Sequence, residues 1–368
     1  MKRVLQLDGL RGIAVGLVVL HHWTATGHSM DLGNIGVQLF FVLSGFLITG
    51  ILLDLRSARE TGEQDTFSGL LKFWERRAAR ILPVFFLTLV AVSLAGDRFE
   101  KHSDMPWHFL FGSNFLFFQR GEFDSNLSHF WTLAVEQQFY LVWPFLVMGL
   151  PRRWLEGAIV ALVALAPATR IWLYAAGYHD FAQYNVLPFA NFDSLGLGAL
   201  IALWTRLPVA QTRARWSALA TIALGATAAF VLNRLLGRLP ANLEQSFYAV
   251  IFAWLVAASH EGLPGFGGRL LAYRPLAWLG IISYGVYVYH AFAPRVVGAG
   301  LRAIAAPPDL QTGVPLFALS AAFTLTVASL SWFVMERPIN NARRKLIKRE
   351  QVQLDGDGGA LQQTKSGD

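Results

Sequence analysis

Arg11 and His22, in the stretch LDGLRGIAVGLVVLHHW at 7–23, stand at opposite ends of one apolar run. An ionisable group at hydrocarbon depth costs roughly 2.5–3.5 kcal/mol on insertion scales, so those that persist face a bundle interior, a polar cavity or a substrate path. At about 100° per residue, the eleven steps from Arg11 to His22 return almost to the starting direction, about 16 Å further along the axis. His21 lies about 80° away from that line. Arg11 and His22 therefore share a helix face, and they are expected to look into a single tunnel through the bundle. A neutral imidazole can take a proton from a hydroxyl and return it, which makes His22 a candidate general base. The other reading is that one of two adjacent histidines ends a span at the interface.

The segment FWERRAARILP at 73–83 offers anion chemistry. If it is helical, Arg77 and Arg80 are neighbours on one face, and Arg76 also meets Arg80. Guanidinium forks suit phosphate oxygens better than ammonium does, so Arg77 and Arg80 could clamp a nucleotide-like, phosphorylated ligand. The alternative is a basic anchor touching lipid head groups. No Walker motif accompanies the cluster, which argues against an ATPase.

SHFWTLAVEQQFYLVWPF at 128–145 carries His129 and Glu136. Both are expected at the level of His22, where a carboxylate beside the imidazole would fix its tautomer and stabilise the cation formed on proton abstraction. Glu136 could instead cap a helix or pair with a loop cation. ISYGVYVYH places Ser283, Tyr287 and His290 on one polar stripe, which could hydrogen-bond a ligand or join two helices. Ser44, among the small residues of GVQLFFVLSGFLITG at 36–50, is a weaker candidate nucleophile, since small residues there also allow close helix packing. Arg170 and Asp193 either pair structurally or line a path. Glu336, in MERP, is expected near an arginine.

These residues need membrane helices to hold them. The chain has 368 residues, 54% hydrophobic and only 15% charged, with 28 Phe and 12 Trp. Its mean hydropathy of +0.42 is far from that of an ordinary soluble domain. Apolar windows predict an all-α polytopic membrane bundle of about ten transmembrane helices, near 10–26, 36–55, 81–96, 132–150, 156–176, 189–205, 216–235, 244–260, 275–298 and 313–335. With the N-terminus in the cytoplasm, Lys and Arg favour the inside segments by roughly three to one, so both termini are expected to be cytoplasmic. The net charge of +7 comes from residues flanking apolar runs, which speaks against nucleic acid. The absence of Cys excludes disulfides, thiolate metal sites and a Cys nucleophile, and no metal is expected. The start reads as a retained first helix, not a cleaved signal. The loop at 97–131 is the largest outside segment, and its aromatic run could dip into the membrane. Residues 1–340 are expected to form one transmembrane unit and 341–368 a basic, disordered tail.

Taken in order, LDGLRGIA with Arg11 and His22, GVQLFFVLSGFLIT, RRAARILP, HFWTLAVEQQFYLVWP and SYGVYVYH resemble the acyltransferase 3 family of bacterial membrane O-acyltransferases over roughly residues 5–340. VEQQFY departs from the common VEEQFY, leaving Glu136 without a second acid at Gln137. Some relatives carry an esterase-like soluble domain after the membrane unit, and none is expected in these 368 residues. The resemblance implies a multi-pass protein of the bacterial inner membrane that moves an acyl group, usually acetyl, from acyl-CoA to a hydroxyl of a carbohydrate or glycosylated acceptor, with no tightly bound cofactor. Arg77 and Arg80, assisted by Arg11, would hold the CoA phosphates. His22, oriented by Glu136, would deprotonate the acceptor in a direct transfer. His129, Asn114, Ser283, Tyr287 and His290 would contact substrate, with Asn114, Tyr287 and backbone amides as candidate oxyanion donors. The competing reading is a transporter or flippase for a lipid-linked or acylated glycan, with the same polar groups lining its path.

Overall fold

The computed structural model describes residues 4–97, 99–236, 243–339 and 341, and the regular structure of the described residues is all helical, with no strand. The expected tail from 341 onward lies outside the described residues apart from Asn341. In chain order the helices are α1 (Leu5–Trp23), α2 (Ala25–Ser29), α3 (Leu32–Glu60), α4 (Thr66–Ala95), α5 (Met105–Phe109), α6 (Ser113–Arg120), α7 (Phe130–Gly149), α8 (Arg152–Ala175) and α9 (Phe181–Tyr184). Then come α10 (Phe192–Trp204), α11 (Val209–Leu236), α12 (Glu244–Glu261), α13 (Gly265–Leu271), α14 (Arg274–Ile281), α15 (Ser283–Tyr289), α16 (Ala293–Ala303) and α17 (Gly313–Ser331). A π-helical turn, Trp332–Glu336, continues α17.

Helix α3 is the centre of the bundle, packed by α1, α10, α12 and α7. Its most apolar stretch is 72% buried, whereas the other long apolar helices are 17–33% buried there and keep their remaining side chains on the outside. Such exposed apolar surface on long helices is what a lipid environment accepts. Two glycines bring α3 and α10 together: a Cβ on Gly45 would overlap the carbonyl oxygen of Leu195, and one on Gly198 that of Val42. Close backbone approach of this kind compensates for the missing hydrophobic drive between helices in lipid.

Among the described residues, five helices are long and apolar enough to cross a membrane, Leu32–Glu60, Thr66–Ala95, Arg152–Ala175, Val209–Asn233 and Gly313–Ile339. A sixth arises if Glu244–Glu261 and Gly265–Leu271, bent by 85°, count as one broken span. The expected span at 275–298 is not one helix. It is divided into α14, α15 and the start of α16, with breaks at Ile282 and after Tyr289. The window at 189–205 is likewise a 3-10 turn, Pro188–Asn191, followed by the 13-residue α10. The arginine cluster expected just before a span belongs to the span's own helix, since α4 runs unbroken from Thr66 to Ala95 through Pro83.

Local signals set the ends that matter. At Thr24 the backbone turns extended and stops α1, and the Thr24 hydroxyl accepts from Gly27 N at 2.9 Å, starting α2. Asp65 caps α4 by accepting from Ser68 N at 3.0 Å. The segment at 97–131 folds as short helices whose aromatics lie on the bundle: Phe111 stacks on Phe85 at 4.4 Å, and Phe117 is buried.

Candidate active site

Five helices meet around one cavity: Arg11 from α1, Ser44 from α3, Arg77 and Arg80 from α4, Glu136 and Tyr140 from α7, and Ser283 and Tyr287 from α15. The helical period sorts the arginines of α4, leaving Arg77 and Arg80 half-buried toward this cavity and Arg76 exposed. None of Arg11, Arg77 and Arg80 makes a hydrogen bond or salt bridge among the described residues, and the Nε atoms of Arg11 and Arg77 are buried without a partner. Glu136 is the acidic neighbour of all three; Asp8 acts on Arg11, and Glu336 acts on Arg11 and Arg80. Apolar side chains, among them Phe40, Phe41, Leu47 and Ile81, form much of the remaining wall. A chamber with unsatisfied guanidiniums and a greasy wall suits a ligand with an anionic end and a slender, less polar arm.

A second cavity is lined by His21, His22, His28, Asp31, Asn34 and His129, with Trp23, Trp131 and Phe181. Val37 and Tyr287 line both cavities. Arg11 and His22, which share a face of α1, thus open into two chambers that meet at those two residues, where the sequence led to the expectation of one continuous tunnel.

The ring of His22 is held by its own helix. Its Nδ1–H donates to Val18 O at 2.9 Å, so in the neutral ring Nε2 is the unprotonated nitrogen, with no hydrogen-bond partner among the described residues. His290 Nε2 lies 3.3 Å from the same Nδ1. The expected contact between Glu136 and His22 is not made. Glu136 accepts a short hydrogen bond from Ser44 Oγ, which in turn accepts from Tyr140 OH at 3.2 Å. Glu136 follows His129 by seven residues, on nearly the same face of α7 but about 10 Å further along the axis, and that depth puts it in the arginine cavity and not beside His22.

The other expected contact residues divide. His129 lines the histidine cavity, with Nε2 3.3 Å from Val288 O and Nδ1 buried and unpartnered. Ser283 lines the arginine cavity, its Oγ buried without a partner. Tyr287 OH donates to His129 O at 3.0 Å and is hydrogen-bonded to Thr132, so it stands as the wall between the chambers. His290 is fully buried and donates from Nδ1 to Tyr287 O at 2.7 Å. Neither cavity includes it, which corrects the expectation that it touches substrate. Asn114 is corrected as well: its amide is matched by Gln138, at 3.2 and 3.0 Å in the two directions, and lines neither cavity. Arg170 and Asp193 form a buried salt bridge of 2.6 Å, joined by Ser246, the structural one of their two readings.

Sequence reasoning missed Tyr140 and Thr132. Both carried a helical signal, since Tyr140 is one turn from Glu136 and Thr132 one turn from His129.

A family model described as an acyltransferase domain, that of the acyltransferase 3 family, matches residues 4–333. YrhL of Bacillus subtilis, provisionally named a peptidoglycan O-acetyltransferase, is 33% identical over 93% of this chain and 57% of its own length. The peptidoglycan O-acetyltransferase OatA of Listeria monocytogenes is 28% identical over 92% of the chain and 56% of its own length. The O-acetyltransferase OatA of Staphylococcus aureus is 25% identical over 90% of the chain and 56% of its length. The chain therefore spans little more than half the length of these relatives. No solved structure matches it.

Proposed function

The chain belongs to the acyltransferase 3 family, and from that premise we propose that it is a membrane O-acetyltransferase that moves an acetyl group from acetyl-CoA to a hydroxyl of a cell-wall glycan. The observation that carries this reading is the pair of chambers meeting at Val37 and Tyr287, one lined by three guanidiniums without bonded partners among the described residues and the other by His22, whose Nε2 has no hydrogen-bond partner among them. Arg77, Arg80 and Arg11 hold the phosphates of the donor, and the pantetheine arm follows the apolar wall past Phe40 toward Tyr287. Glu136, tied to Ser44, serves as counter-charge to the guanidiniums and not as partner to the base.

In the reaction, His22 Nε2 takes the proton of the acceptor hydroxyl while that oxygen attacks the thioester carbonyl. The carbon–sulfur bond breaks, and the thiolate of CoA leaves with the proton that His22 returns. The histidine cavity suits a sugar acceptor, because aromatic rings of Trp23 and Trp131 can lie against its apolar faces and Asn34 and Asp31 can meet its hydroxyls. In the membrane the chain spans about ten times with both termini in the cytoplasm, so that the arginine cavity takes CoA from the cytosolic side.

Purified protein mixed with acetyl-CoA and a peptidoglycan-derived oligosaccharide tests this directly. Because the chain has no Cys, any thiol that appears is CoA. Acceptor-dependent thiol release together with acetyl ester on the oligosaccharide is the expected result. Movement of glycan across a vesicle membrane with no use of acetyl-CoA would support the transporter reading in its place.

A further inference from the structure

A base whose Nε2 faces substrate must carry its own proton on Nδ1, and something must hold that N–H when a second proton arrives. A carboxylate is the usual holder, but Glu136 is engaged with Ser44 in the other chamber. The titratable groups facing His22 are His21 on α1, His28 on α2, His129 before α7 and His290 after α15, while Asp31, ahead of α3, acts on His21. Among them, only His290 brings an atom within hydrogen-bond distance of the His22 ring, Nε2 to Nδ1 at 3.3 Å, with the two rings edge to face and 4.9 Å apart.

His290 is itself fixed. Its Nδ1 donates to Tyr287 O at 2.7 Å, its carbonyl accepts from Trp23 Nε1 at 3.1 Å, and the side chain is wholly buried. A neutral ring with its proton on Nδ1 must present a lone pair at Nε2. That lone pair faces the N–H of His22, which is shared with Val18 O.

We propose that His290 is the positioning residue of the base: a neutral imidazole, where a carboxylate is usual, keeps His22 in the Nδ1–H tautomer and accepts from that N–H while His22 holds the acceptor's proton. The inference rests on the proposed reading of His22 as the base.

Two substitutions separate packing from hydrogen bonding. His290→Leu fills the space without an acceptor, and His290→Gln restores a neutral acceptor at similar reach. His290→Leu is expected to lower kcat about 10–100-fold, the worth of a hydrogen bond to a group that becomes charged, while KM for acetyl-CoA changes less than about twofold. His290→Gln should recover most of kcat. In the unmodified protein, ¹⁵N spectra of labelled imidazoles should show His22 and His290 both protonated at Nδ1, a readout that needs no variant to fold. Unchanged kcat in His290→Leu, equal losses in both variants, or His290 protonated at Nε2 would overturn the proposal. Full activity in His22→Ala would instead defeat the reading of His22 as base.

Discussion

Three guanidiniums with no bonded carboxylate are costly to keep half-buried unless a ligand completes them, so single arginines are where the donor site is tested. Arg77→Ala and Arg80→Ala are each expected to raise KM for acetyl-CoA about 10–100-fold through loss of a charge-assisted hydrogen bond. Arg76→Ala, one position away but exposed, should leave KM within about twofold; an equal effect would mean a diffuse surface attraction instead of a clamp. Arg170 offers the opposite case, a cation already paired. Arg170→Leu should cost about 3–5 kcal/mol by stranding Asp193, and the double change Arg170→Leu with Asp193→Leu should recover much of it, as read by thermal unfolding in detergent. The sequence placed Arg77 and Arg76 alike within one turn of Arg80, and only the resemblance preferred Arg77; the exposure of Arg76 comes from the structure. The partner of His22 was not legible in the sequence either. Expecting His129 and Glu136 at one level passed over the two helical turns between them, and the atoms that hold His22 are a backbone carbonyl one turn back and a ring 268 positions further along the chain.

Between elements, the approach of α3 to α10 depends on glycine. Gly198→Ala would press a methyl into Val42 O, a backbone atom that cannot swing aside, and is expected to cost about 1–3 kcal/mol. Gly225→Ala in α11, with nothing near its added methyl, should be neutral or gain about 0.5–1 kcal/mol, which controls for glycine's effect on helix formation. The segment between α4 and α7 has an electrostatic test. Lys101, at 2.8 Å, and then Arg120 hold the Asp124 carboxyl below the usual carboxylate range. Since the folded value is the lower one, this contribution is complete above the unfolded pKa of about 4 and fades as pH falls through the folded value. Proteolysis of the segment should therefore stay constant from neutral pH to about 5 and rise only in stronger acid. Elements were legible where an apolar run coincided with one helix, as in α3 and α8. They were not legible at 275–298, where the run is equally apolar but the chain breaks at Ile282 to fit α14 against α1 and α15 against α17.

At the scale of the molecule, the proposed transfer needs a donor chamber and an acceptor chamber served from opposite sides of a membrane. The chain lacks cysteine, so single thiols report topology without background. Glu63→Cys, after α3, is expected to react only with reagent on the cytoplasmic side, and Glu122→Cys, after α6, only from the other. The most direct measurement seals the protein in vesicles with acetyl-CoA on the side of Glu63 and glycan on the side of Glu122, and follows thiol on one side and acetyl ester on the other. The intact protein should produce both in equal amounts, and His22→Ala should lose at least about 100-fold of each while remaining folded and able to bind acetyl-CoA. Acetylated glycan formed at an undiminished rate by His22→Ala would contradict the account.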